Sequence, residues 1–161
     1  AAPAVPSWEG CEPLVVPREW APVAQQTEIR PTGRSRPFAG GSEPELTAWV
    51  RLVGDDAPPD LFRLIFLSDA LAPSYSAILD TPQQIPTVEL AAHFTQKAAR
   101  SPWVLISART DCVTEDGWLT EHIEVWNCDG DLLALARQLR VIRDDHNGAP
   151  VGPHDGPEVR S

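Results

Sequence analysis

The chain has 161 residues, 42% hydrophobic and 22% charged, which suits one globular domain with a proper core. Its formal charge is −10, from 13 Lys+Arg against 23 Asp+Glu, which argues against a nucleic-acid partner or an anionic membrane surface. No apolar run is long enough to span a bilayer, and no basic-then-apolar start marks a signal peptide. Cys11, Cys112 and Cys128 form neither a disulfide framework nor a metal-ligand pattern, so a reducing, cytoplasmic setting is expected. No cofactor is expected. The chain contains no Met, so Ala1 is expected to follow a removed or separate N-terminal portion.

Residues 1–24 are proline-rich and read as an extended linker, because proline fixes φ and removes amide donors. Trp8, Leu14, Val15, Val16 and Trp20 are too apolar for a free tail and are expected to dock. Residues 23–31 read as a first strand and residues 31–44 as a loop. Residues 45–53 alternate, with Leu46, Ala48, Val50 and Leu52 toward a core and Thr47, Trp49, Arg51 and Val53 away from it.

The longest apolar segment, residues 59–79, follows a turn. Its first half predicts a helix, with Pro58 and Pro59 suited to the first turn and Pro73 ending or kinking it. Leu61, Leu64, Ile65, Phe66, Leu67, Ala70 and Leu71 leave little of the circumference polar, so this helix is expected to be covered on nearly all sides. Asp69 sits inside that stretch, where a carboxylate is costly unless it is hydrogen-bonded, paired or at work.

Residues 87–95 alternate again. Residues 103–113 and 118–128 predict a long hairpin around Thr114-Glu115-Asp116-Gly117, because Asp-Gly between apolar-patterned arms signals a tight turn. Residues 132–142 have helix propensity, but they follow a second tight turn and alternate from Leu135, so a strand is expected. Two strands, a buried helix and four strands joined by short turns give an α+β domain over residues 25–143. Residues 144–161 read as a disordered tail. A curved antiparallel sheet wrapped around one central helix is the hot-dog fold. One such sheet has open edges, so a second hot-dog unit is the expected partner.

LFRLIFLSDALAPS, then PTVELAAHF, then DGDLLALARQLRVIR resemble the C-terminal hot-dog repeat of acyl-CoA thioesterase II and its bacterial relatives, over about residues 28–143. The resemblance implies an acyl-CoA-type thioester substrate and a hydrolytic water bound and activated by Asp69, Thr87 and Gln138. That chemistry is reasonable by itself. A thioester carbonyl is electrophilic, so water needs positioning and a proton acceptor. Asp69 can accept the proton or orient the water, while the Thr87 hydroxyl and Gln138 amide hold water without competing for it. Taken singly, each has an ordinary alternative: Asp69 a helix-end carboxylate, Thr87 a strand start, Gln138 a solvent-facing strand residue. Members of the family carry two repeats in one chain, and only the second is evident here.

Other readings stay open at this point. His93 with Glu89 forms a rival acid–base dyad of the kind hot-dog dehydratases use. Four strand residues separate them by about 13 Å, at roughly 3.3 Å each, so they do not touch directly. Arg34 and Arg36, in a glycine-containing loop, can meet a CoA phosphate or simply be solvated. His122 is a strand residue; His146 and His154 fall in the tail, without an expected role. The chain is read as a thioester hydrolase of lipid metabolism. The alternatives are a non-catalytic half completing a partner's site, and a repurposed dehydratase or cyclase of secondary metabolism.

Overall fold

A computed structural model describes residues 1–18 and 22–143. The tail 144–161, with His146 and His154, and Trp20 of the proline-rich segment lie outside the described residues. The elements are β1 (Thr27–Pro31), β2 (Glu45–Leu52), α1 (Leu61–Ser68), β3 (Thr87–Phe94), β4 (Val104–Val113), β5 (Trp118–Trp126) and β6 (Leu132–Val141). All strand pairs are antiparallel, in the order β1-β2-β4-β5-β6-β3, and α1 packs on one face of this sheet. This is the hot-dog arrangement expected from the alternation.

Local signals account for most boundaries. The Asp60 side chain accepts from Arg63 N at 2.9 Å and caps α1, where the first-turn amides have no partner within the helix. Gly117, at φ +83°, closes the β4–β5 turn, and Gly130, at φ +82°, closes the next one. β6 pairs with β5 on one side and β3 on the other, so sheet hydrogen bonds on both edges override its helix propensity.

The first strand begins later than the alternation suggested. Pro22–Gln26 is a 3-10 turn, and pairing with β2 starts at Thr27 opposite Leu52. Val53 N donates to Gln26 O at 2.9 Å, which closes the ladder at that point.

The core lies between α1 and the sheet, where Leu64 and Leu67 meet Val50, Val104, Ile106, Ile123, Val125 and Ala136. The expected all-round covering of the helix is not met among the described residues. Leu61, Phe62, Ile65 and Phe66 are exposed, Phe62 by 84%. A single layer of strands curls around only one side of a helix.

A second cluster covers the opposite face of the sheet. Trp49, Trp103, Leu105 and Trp126 are buried there against Ala2, Val5, Trp8 and Cys11 of the proline-rich segment. Trp8 stacks on Trp103 at 6.1 Å, and Trp49 Nε1 donates to Pro6 O at 2.8 Å. Leu14 packs against the main core, whereas Val15 stays 87% exposed.

Glu28 ties this segment to pH. Burial raises its carboxyl pKa, but bonds from Arg51 and Arg30 outweigh that and hold it below the ordinary value of 4.5. Arg30 also donates to Trp8 O at 2.8 Å. A lowered folded-state pKa means stability that is present above the unfolded pKa and lost as pH falls through the folded one. Glu28→Gln should therefore cost about 1 kcal/mol at neutral pH. In urea titrations the gap to wild type should close as pH drops below 4.5. An equal gap at pH 7 and pH 3.5 would refute this.

Candidate active site

α1 ends at Ser68, whose buried hydroxyl donates to Leu64 O at 2.7 Å. Asp69 is the next residue and forms the C-cap, and Pro73 prevents the helix from resuming along its axis. Asp69 therefore stands where the helix end meets β6 and the first residue of β3.

All three residues singled out in the sequence converge here. Asp69 Oδ1 accepts from Gln138 Nε2 at 2.5 Å and from Thr87 Oγ1 at 3.0 Å. It is also 3.4 Å from Arg140 Nη2. Among the described residues no protein donor reaches Oδ2, and the side chain is 44% exposed. One carboxylate oxygen is thus anchored, and the other is free of protein donors among the described residues.

Strand geometry sets both partners. The β3–β6 register shifts between Thr87 and Glu89, and such a bulge re-aims the side chain beside it. Gln138 is only 1% exposed, so it is not a solvent-facing strand residue. Its Oε1 accepts from Arg140 Nη2 at 2.5 Å. A guanidinium offers only donors, so this contact requires Oε1 on that side and leaves Nε2 for Asp69.

Two charged residues were not singled out by sequence reasoning. Arg140, 5% exposed, donates through Nε to Glu121 Oε2 at 2.7 Å. Glu121, 1% exposed, also accepts from Ser74 N, and Ser74 Oγ lies 2.8 Å from Thr110 Oγ1. Leu119 pairs with Arg140 and Glu121 with Gln138, so Glu121 and Arg140 are diagonal neighbours across β5 and β6. The signal was present. Glu121 falls between Leu119 and Ile123 in a core-facing alternation, and Arg140 lies two residues beyond Gln138 on the same face.

The rival residues sit elsewhere. His93 and Glu89 are both exposed on β3 and do not hydrogen-bond each other. His122 is 3.6 Å from Glu124 in a shallow recess of about 140 Å³, on the opposite sheet face from Glu121. Arg34 is exposed, while Arg36 donates to Gly33 O and Ser35 O and borders the cavity described next. Among the described residues no group of His, Cys, Asp and Glu is arranged to hold a metal ion, and no helix is long and apolar enough to cross a membrane.

A mostly apolar cavity of about 610 Å³ adjoins the triad. Leu14, Val16, Ile29, Phe38 and Leu71 line it, together with Asp69, Thr87 and Arg140. Its size is that of an ordinary small-molecule site. An anchored carboxylate with one open oxygen beside an apolar cavity can take a proton from water attacking a bound apolar molecule.

Residues 8–142 match the family model described as the acyl-CoA thioesterase C-terminal domain. A hot-dog protein of unknown function from Alicyclobacillus acidocaldarius superposes at TM-score 0.77 and 25% identity, over 89% of this chain and 55% of that one. A thioesterase II candidate from Thermobifida fusca YX gives 0.69 and 26%, with the same coverage. For the acyl-CoA thioesterase II TesB2 of Mycobacterium marinum the values are 0.63 and 20%, over 88% of this chain and 55% of that one. The chain thus spans about half the length of these solved relatives. No curated protein matches the sequence.

Proposed function

The chain belongs to the acyl-CoA thioesterase C-terminal domain family, and from that premise we propose that it hydrolyses an acyl-CoA-type thioester at Asp69. The observation that carries this reading is the convergence of Thr87 and Gln138 on Asp69 Oδ1, which leaves Oδ2 open beside the apolar cavity. In the proposed reaction, water bound at Oδ2 gives a proton to Asp69 as its oxygen attacks the thioester carbon. The tetrahedral intermediate then breaks its C–S bond. The thiolate leaves and takes the proton from Asp69, so the products are a carboxylic acid and a free thiol. Thr87 and Gln138 hold the carboxylate in place, so little reorganisation is needed at the moment of attack.

We further propose that residues 25–143 are the catalytic unit and that a second hot-dog unit covers α1. Four apolar side chains on one exposed helix face, and the half-length match to the relatives, support that partner. It is either a copy of this chain or an N-terminal repeat, whether cut away from this chain or carried on a separate one. The unpaired Cys11, Cys112 and Cys128 support a cytoplasmic setting, and an acyl substrate would place the protein in lipid metabolism.

The same uncovered helix face supports a second reading, in which this chain is a non-catalytic half that completes its partner's site. Thiol release from acyl-CoAs of several chain lengths separates the two, with assembly mass measured by light scattering on the same sample. The hydrolytic reading predicts thiol release by an assembly that Phe62→Glu weakens. An assembly that forms but releases no thiol sinks it and leaves the second. A dehydratase or cyclase would instead change the acyl mass without freeing a thiol.

A further inference from the structure

We propose that Arg140 is a positioning residue for this reaction, acting through Gln138 and held in turn by Glu121. The proposal rests on the hydrolytic reading above.

Arg140 divides its donors among four acceptors. Nε goes to Glu121 Oε2 at 2.7 Å, Nη1 to Ile85 O at 3.4 Å, and Nη2 to Gln138 Oε1 at 2.5 Å and Asp69 Oδ1 at 3.4 Å. The short bonds place its charge against Glu121 and its amide contact against Gln138. Asp69 receives one of the two long contacts, at 3.4 Å, so it is not taken up in a tight ion pair with Arg140. Glu121 is itself pinned by Ser74 N, so the guanidinium has a fixed back wall.

The consequence falls on the Gln138 amide. Gln138 is buried, and without Arg140 its Oε1 has no donor among the described residues. A buried unpaired carbonyl is costly, so the amide would turn or shift to find another partner. Any such movement withdraws Nε2 from Asp69 Oδ1. The carboxylate would then rotate, and Oδ2 would no longer be held toward the cavity. Arg140 thus sets which way the amide faces, and the amide sets which oxygen meets water.

The test uses the paired replacement Glu121→Leu with Arg140→Met. Exchanging a buried ion pair for apolar residues of similar volume is often neutral or stabilising, so this variant should fold. Its kcat should fall roughly 10- to 100-fold, the factor expected for one unsatisfied buried acceptor, with KM changed less than about 3-fold. In a Gln138→Ala background the same pair should cost less than about 2-fold, because Arg140 has nothing left to position. Arg140→Lys keeps a cation for Glu121, but one ammonium cannot also reproduce the fork to Gln138. It should lose kcat as the pair does.

A readout that needs no turnover is the Gln138 side-chain amide ¹⁵N signal, assigned by its disappearance in Gln138→Ala. It should be single and slow to exchange with solvent in wild type, and shifted and fast in the paired variant. An unchanged amide signal, or wild-type kcat in the paired variant, overturns the proposal. A wild-type protein that releases no thiol but shows the predicted amide change overturns the hydrolytic reading and leaves the positioning intact.

Discussion

Asp69→Asn is expected to lower kcat for thioester hydrolysis by about 10²- to 10⁴-fold, the range for losing a positioned general base. The substitution is nearly isosteric. Its carbonyl oxygen can still accept from Thr87 Oγ1 and Gln138 Nε2, which now bond Oδ1 at 3.0 and 2.5 Å. The group at the Oδ2 position becomes an NH₂, which donates and cannot take a proton from water. The loss should therefore appear in kcat and leave KM close to wild type. Stability should change by less than about 1 kcal/mol, because the side chain is 44% exposed and keeps its accepting contacts. Thiol release under saturating substrate, with a thermal melt of the same preparation, checks both halves. Turnover within a factor of two of wild type would remove Asp69 from the proton-transfer step.

The largest effect on stability is expected at Glu121. Glu121→Gln should destabilise the fold by about 3–5 kcal/mol, the range for breaking a buried ion pair from one side. Glu121 is 1% exposed and gives one oxygen to Ser74 N and the other to Arg140 Nε. Glutamine offers one acceptor where two are needed, and its NH₂ must face one of those donors. The Arg140 cation, 5% exposed, is then left with Asp69 at 3.4 Å as its nearest anion. Such a loss is a large part of the roughly 5–15 kcal/mol that holds a domain of ordinary stability. The paired Glu121→Leu, Arg140→Met variant should recover only part of it: no buried charge then remains, but Ser74 N and Gln138 Oε1 each lose a partner. Urea midpoints for the three proteins decide the matter. A single variant as stable as the paired one would mean that the ion pair contributes little.

Much of this molecule is legible in the chain because its signals are local. Period-two alternation marks β2, β3, β4 and β5, and Pro73 marks the end of the helical stretch; its start is less legible, since α1 begins at Leu61, after Pro58 and Pro59 rather than with them in its first turn. Asp69 stands out as the carboxylate in an otherwise apolar stretch. Gln138 and Thr87 could be named as its partners only through a resemblance, since 51 residues separate one from the other in the chain. The start of β1 was misplaced because Val23, Gln25, Thr27 and Ile29 alternate as a strand does, while pairing with β2 begins only at Thr27.

By itself the sequence determined the elements, their order and Asp69 as the carboxylate out of place, because each of these depends on neighbours a few positions away. Register and layer were decided only by the tertiary structure. Which oxygen of Asp69 is held depends on a shift in the β3–β6 ladder. The diagonal meeting of Glu121 with Arg140 depends on how β5 slides against β6. The uncovered face of α1 depends on how far one sheet can curl. These contacts join residues from distant parts of the chain, and a one-residue change in pairing would turn each side chain to the other face.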